Sequence, residues 1–225
     1  MFLEIFLDST RFIHFVGFAL GIGAGSFGDF SVLRKLNVKI TEHDLSTLDM
    51  VHKIVWLGVG LLWLSGLMLL YLKTGFQPSE FTAKLFMKLM VVTVLTINAV
   101  MMGAIAMPIM RRNLKRAYME FSLEDKAILG LLGAISICSW ISGLVLGIFS
   151  ALKPAEFYTI MPMFAFMYLG ALVAAMQLTI ILHVIWERRQ SKFADKPQAR
   201  LVATKTNQNE QVSENHTWDA VLTSP

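Results

Sequence analysis

Five long apolar stretches constrain this chain more than any other feature of its sequence. They lie at about 11–33, 50–72, 85–108, 127–149 and 159–186. Each is long enough to cross the roughly 30 Å core of a bilayer as a helix, which takes about 20 residues. Only 16% of the 225 residues are charged, against about a quarter in a soluble domain. The sequence therefore predicts an all-α, polytopic membrane helix bundle with five transmembrane helices.

The chain divides into an apolar part and a polar end. We predict a five-helix transmembrane domain over 1–186 and a tail over 187–225 that is polar and mostly disordered. The first residues lack the basic start and small-residue cleavage site of a signal peptide, so we expect the first span to be retained. The single cysteine, Cys138, excludes a disulfide framework within the chain.

Basic residues are unevenly distributed between the two ends of the predicted spans. One side carries Arg34, Lys35, Lys39, Lys53, Arg111, Arg112, Lys115, Arg116, Lys126, Arg188, Arg189, Lys192, Lys196 and Arg200. The other side carries Arg11, Lys73, Lys84, Lys88 and Lys153. The positive-inside rule then predicts an N-terminus outside and a C-terminus in the cytoplasm. A membrane protein needs basic loops for its orientation, so the net charge of +4 does not require a nucleic acid partner. The predicted partner is the lipid bilayer.

Small residues form seams on two of the predicted helices. Gly17, Gly21 and Gly25 share one stripe of the first span, and Gly143 and Gly147 share one stripe of the fourth. Glycines at four-residue spacing let a second backbone approach closely, which favours tight helix packing in lipid. The same seams would also suit a homo-oligomer, a partner subunit or, as the minority interpretation, the edge of a flat ligand.

The ionisable side chains within the spans fall into two layers when the orientation is applied. The outer layer holds His14, Lys84 and Lys88. Charges inside a membrane tend to mark functional sites, although these lysines could equally extend to the outer headgroups and His14 could be a packing histidine. Histidine binds haem iron and metals. An outer haem would use His14 with a non-histidine ligand, such as the neutral amine of a buried lysine.

The inner layer offers a different pair of histidines. It contains Asp29, Asp49, His52 and His183. His52 and His183 could together hold a haem or another metal, whereas His14 lies at the opposite depth. Asp29 could pair with a basic residue of the first loop and merely anchor its helix. Between the layers the only polar candidates are the neutral Asn98 and Gln177, so a proton path is the weaker interpretation.

Methionines are abundant, with fourteen in the chain. Several fall in the outer half, namely Met87, Met90, Met161, Met163 and Met167. Thioether sulfur suits Cu(I), but methionine is also an adaptable filler of apolar cores. Copper is therefore the alternative cofactor to haem.

Three segments together carry a family resemblance over roughly residues 11–110. RFIHFVGFALGIGAG, then WLGVGLLWLSGLMLL, then AKLFMKLMVVTVL on to Pro108 resemble the copper-resistance D-type membrane domain and its relative, the haem-binding membrane protoporphyrinogen oxidase of bacteria. Both have a histidine early in one helix and a Lys-Leu opening to a later one. The resemblance implies a bacterial inner membrane protein with haem b held by His14 and by Lys84 or Lys88.

Three functions remain open from the sequence. The leading hypothesis is haem b or a related metal cofactor near the outer face, serving electron transfer or tetrapyrrole oxidation as a membrane oxidoreductase. The second is a copper-handling permease or accessory. The third is a non-catalytic membrane subunit or scaffold that uses its glycine seams as interfaces. No nucleophile constellation, phosphate loop or zinc spacing points to a hydrolase or a nucleotide-driven protein.

Overall fold

Helices make up the described structure. The computed structural model describes residues 1–152 and 156–222, with the side chains of the last helix described as far as Ser191. Its helices are α1 (Phe2–Leu33), α2 (Glu42–Thr74), α3 (Ala83–Met101), α4 (Met107–Arg112), α5 (Leu123–Ile148) and α6 (Phe157–Leu222). A π-helical turn, Met102–Ala106, joins α3 to α4, and single 3-10 turns lie at Pro78–Glu80, Tyr118–Glu120 and Ser150–Leu152.

Five helical segments of the described chain are long and apolar enough to cross a membrane. They are Phe2–Leu33, Glu42–Thr74, Ala83–Arg112, Leu123–Ile148 and Phe157–Ser191, the third of which includes α3, the π turn and α4. The prediction of five spanning helices is thereby confirmed by length and composition. The predicted orientation of the termini stays a prediction.

The helix starts follow from local capping signals. Thr41, Thr82 and Ser122 precede α2, α3 and α5, and the hydroxyl of each accepts a hydrogen bond from the backbone N–H three residues later. Such caps satisfy N–H groups that the first helical turn leaves without a partner. At the other end of α2, Gly75 adopts φ 58°, a left-handed conformation that glycine adopts without strain.

Glycines bring α1 and α2 into direct backbone contact. A Cβ built on Gly58 would lie 2.8 Å from the carbonyl oxygen of Gly17 and 2.8 Å from the backbone nitrogen of Gly21. The side chain of Trp140, from α5, covers Gly21 so closely that a Cβ there would overlap the indole ring. Val59, Leu62 and Leu95 complete the buried cluster around this tryptophan. Small residues therefore set the separation of these helices.

The loops after α1 and after α4 form an ordered layer, which we call the platform and define as residues 34–41 and 113–122. An isolated antiparallel bridge joins Lys39 to Ala117. The backbone nitrogens of Tyr118 and Met119 donate to the carbonyls of Lys35 and Leu36, at 3.2 and 3.0 Å. The platform closes the side of the bundle opposite the start of α1, and we call these the platform side and the N-terminal side.

The chain forms two compact units, the first ending at Ile180 and the second beginning at Ile181. In the first unit, Ile160 and Phe164 of α6 join a buried cluster with Met87, Val91 and Leu146. The predicted domain boundary at 186 and the predicted disorder over 187–225 stay predictions, because the side chains after Ser191 lie outside the described residues.

Candidate functional site at the N-terminal side

His14 lies against α2 at the N-terminal side of the bundle. Its Nδ1 is 2.9 Å from Oγ of Ser65, and Ser65 is 3% exposed. The Ser65 hydroxyl donates its proton to the carbonyl of Leu61. Since a hydroxyl has only one proton, Nδ1–H of His14 must be the donor to Ser65, and Nε2 keeps the lone pair of the neutral ring.

A glycine of α2 lies beside the imidazole ring of His14. A Cβ built on Gly66 would lie 3.5 Å from Cε1 of His14. A histidine that binds a metal usually donates its other ring N–H to a fixed acceptor, which sets the tautomer and the orientation. Ser65 supplies such an acceptor for His14, and Nε2 is the ring nitrogen that this bond leaves unused.

The two candidate lysines of α3 differ in their surroundings. Lys84 is 8% exposed, and its Nζ donates to the carbonyl oxygen of Phe149 at 2.6 Å, at the end of α5. Lys88 is exposed and lies close enough to His14 to interact with it electrostatically. Lys88 therefore acts on His14 electrostatically, whereas Lys84 is held by the residue that ends α5.

Cations accumulate around this position. Lys84 and Lys73 both act electrostatically on Lys88. Three lysines from the end of α2 and the start of α3 thus act on one another electrostatically, and one of them, Lys88, also acts on His14. A group of this kind attracts carboxylates and other anions, because each anion that enters reduces the repulsion among the ammonium groups.

The inner histidine of α2 has a different environment. His52 Nε2 accepts a hydrogen bond from Trp56 Nε1 at 3.0 Å, and a Cβ on Gly103 would lie 2.9 Å from the same nitrogen. Gly103 belongs to the π turn, which is a kind of distortion frequently found at functional sites. Asp49 acts on His52 electrostatically and forms a 3.2 Å ion pair with Arg111. His52 is thus held in a hydrogen-bonded cluster with its Nε2 lone pair engaged.

His183 belongs to the second unit of the chain. Its Nε2 is 3.3 Å from Oε1 of Glu187, one turn further along α6. A haem or metal held jointly by His52 and His183 stays a prediction.

The remaining polar candidates lie in three settings. Asp29 is half-buried, with its Oδ1 3.8 Å from a Cβ built on Gly133 of α5. Within the described residues Asp29 forms no ion pair, and Lys35, one of its candidate partners, pairs with Asp44 at 2.9 Å. Asn98 is buried, and within the described chain its Oδ1 has no hydrogen-bond partner. Gln177 is exposed on α6.

The other seam glycines of the sequence analysis also differ. A Cβ on Gly25 would lie 3.2 Å from Trp140 Nε1, and one on Gly143 would lie 2.9 Å from Cε2 of Phe18. Gly147 has no neighbouring atom within 4 Å of such a Cβ. The first seam therefore lies under Trp140, while the second contacts α1 only at Gly143.

Metal-ligating residues are not gathered into clusters. In residues 1–152 and the described part of α6, no group of three or more His, Cys, Asp or Glu side chains could hold a metal ion. Among the outer methionines, Met87 and Met167 pack in the apolar cluster around Leu146, and Met161 and Met163 are exposed. These methionine positions are those of apolar packing and of lipid contact.

Two contributors to the site were missed from the sequence. Ser65 orients His14, and Gly58 admits α1 close enough for that contact. Both lie with Val51 on the buried face of α2, at a spacing of seven residues, which is close to two helical turns. This heptad spacing was the available signal, but it does not by itself show which face of α2 meets α1.

No family model matches the chain, and no curated protein or solved structure matches it. Kinship with the copper-resistance D-type domain or the membrane protoporphyrinogen oxidases therefore stays a prediction.

Proposed function

We propose that this integral membrane protein binds haem b at its N-terminal side through Nε2 of His14 and serves electron transfer or tetrapyrrole oxidation. The observation that carries the proposal is the 2.9 Å contact between Nδ1 of His14 and Oγ of Ser65. It fixes the imidazole in the tautomer that a metal ligand needs. That the membrane is a bacterial inner membrane belongs to the same proposal.

The neighbouring lysines fit the remaining chemistry of this cofactor. Haem b carries two carboxylates, and Lys88, which acts on His14 electrostatically, belongs to a group of cations with Lys73 and Lys84. In its neutral form Lys88 is instead a candidate second iron ligand, and the carboxylates would then fall to Lys73 and Lys84. When bound, the haem supplies the one-electron chemistry, and the protein supplies the ligand, the orientation and the apolar surroundings.

Changing His14 to alanine is expected to abolish haem binding. The full chain would be produced with added haem precursor, purified in mild detergent, and measured for Soret absorbance and for haem per polypeptide. Loss of the only fixed nitrogen ligand should lower the haem content at least tenfold, because an axial histidine provides most of the specific affinity for the iron.

Two further histidine variants serve as controls. His43→Ala removes an exposed histidine at the platform side and should leave the haem content unchanged. His52→Ala separates the two layers, since a loss of absorbance there but not in His14→Ala would move the haem to the inner layer. Absence of Soret absorbance from the wild-type protein would disprove the proposal.

Changing Ser65 to alanine is expected to weaken haem binding without abolishing it. Removing the group that orients a metal-bound histidine commonly costs about tenfold or more in affinity. The measurement is a haem titration of the cofactor-free protein. Ser142→Ala is the matched control, because the Ser142 hydroxyl is buried and donates to the carbonyl of Cys138 in its own helix, away from His14. Equal affinities in the two variants would show that Ser65 does not position the ligand.

A further inference from the structure

The platform places three basic side chains from two distant loops next to one another. The backbone nitrogen of Ile40 donates to the carbonyl of Arg116, and the nitrogen of Lys115 donates to the carbonyl of Ile40, both at 3.0 Å. With the bridge between Lys39 and Ala117, these bonds bring the backbones of Lys39, Lys115 and Arg116 together where the two loops meet. The side chains of all three are exposed.

These three cations differ from three other basic residues of the same side that are engaged in ion pairs. Lys35, Arg111 and Arg112 are paired with Asp44, Asp49 and Asp125. No carboxylate of the described residues lies within ion-pair distance of Lys39, Lys115 or Arg116. This includes the carboxylate of Glu120, which belongs to the same loop as Lys115 and Arg116. The group therefore carries uncompensated positive charge, which an anion from outside the protein would neutralise.

The backbone that carries these side chains is fixed before any ligand arrives. Ile40 and Ala117, which lie between the three cations, are 1% and 4% exposed. The next residue, Tyr118, donates its hydroxyl to the carbonyl of Lys126 at 3.3 Å. Burial raises the pKa of Tyr118 to about 12, so this anchor is neutral at physiological pH. A ligand at the platform thus has only side chains to order, which lowers the entropic cost of binding.

The position of the platform identifies the anion. It connects the ends of spanning helices, which places it at the level of the lipid headgroups. Val38, beside Lys39, is 53% exposed, and Leu33 at the end of α1 is 56% exposed, so apolar surface adjoins the cations. We propose that Lys39, Lys115 and Arg116 bind the phosphate of an anionic phospholipid, whose acyl chains lie along the adjoining apolar surface. This site is distinct from that of His14 and does not depend on the proposed haem.

The test is a lipid titration of the purified, delipidated full chain in neutral detergent. Phosphatidylglycerol and phosphatidylcholine with identical acyl chains would be added, and the bound lipid counted by native mass spectrometry. We expect the wild-type protein to prefer phosphatidylglycerol about tenfold, because basic side chains near a membrane surface favour anionic lipid. Lys39→Gln with Arg116→Gln should remove most of this preference.

The matched control is Lys53→Gln with Arg188→Gln, which removes two exposed charges outside the platform and should retain the preference. A platform variant that binds phosphatidylglycerol like the wild type would overturn the proposal. So would displacement of the lipid by inorganic phosphate at a similar concentration, which would indicate a soluble anion instead. Since the substituted side chains are exposed, the two double variants and the wild type should have the same melting temperature without lipid. The haem content of each protein reports separately on the His14 site.

Discussion

Replacing Gly21 by leucine is expected to lower the free energy of unfolding by about 3 kcal/mol, the upper end for overpacking a filled interior. Gly21 lies between the backbone of Gly58 on one side and the indole of Trp140 on the other. A side chain there cannot be accommodated by rotating one flexible neighbour, because a helix backbone and a buried ring would both have to move. The measurement is denaturation of the purified protein in mild detergent.

A matched control lies two residues away on the same helix. A Cβ added to Gly23 would have no atom within 4 Å, so Gly23→Leu should be neutral or stabilise the helix by up to about 1 kcal/mol through its better helix propensity. Combining Gly21→Leu with Trp140→Ala should cost less than the sum of the two single changes, by at least about 1 kcal/mol. Equal melting temperatures for Gly21→Leu and Gly23→Leu would contradict this packing.

The five spans could be predicted because apolar length is a local property of the sequence. The start of α1 at Phe2, earlier than the predicted 11, shows the limit of that argument. Residues 2–10 include Glu4 and Asp8, which lower the hydropathy but do not interrupt a helix. Hydropathy therefore locates the part of a helix that suits lipid, and the helix itself extends beyond it.

The sequence placed His14 and Lys88 in the same layer from their depth along antiparallel spans. In the structure Lys88 acts on His14 electrostatically, while the role of either residue as a ligand stays a prediction. Depth does not specify which face of α2 meets α1, and so the partner Ser65 was missed. Lys84 is held by the carbonyl oxygen of Phe149. The position of that oxygen depends on where α5 ends, and the sequence of α3 carries no information about it.

The pairing of the two platform loops is the part that the sequence could not predict. The bonds of the platform join residues 34–41 to residues 113–122. The first segment alternates Leu36, Val38 and Ile40 with polar residues, which indicates a short strand but not its partner. The second segment has no such alternation. Ile40 and Phe121, which are 1% and 2% exposed, belong to one buried cluster, and this contact between distant segments is tertiary.

Changing Asp125 to alanine is expected to destabilise the platform side of the bundle by about 2 kcal/mol. The Asp125 side chain is 7% exposed and pairs with Arg112, and it accepts a 2.9 Å hydrogen bond from Nδ2 of the buried Asn113. Hydrogen bonds to a charged group are worth about 1.5–3 kcal/mol when buried. Arg112 is 62% exposed and can turn to water, which keeps the cost below that of a fully buried pair.

The matched comparison is Asp49→Ala, which removes the other aspartate–arginine pair of this side. Asp49 is 42% exposed and Arg111 61% exposed, so solvent screens their attraction and the change should cost less than about 1 kcal/mol. Hydrogen exchange of residues 113–122 should rise in Asp125→Ala and stay unchanged in Asp49→Ala, because only Asp125 bonds to the loop. Equal losses of stability in the two variants would mean that burial does not distinguish the pairs, and that Asn113 is held in the loop by its bond to Ile109 instead.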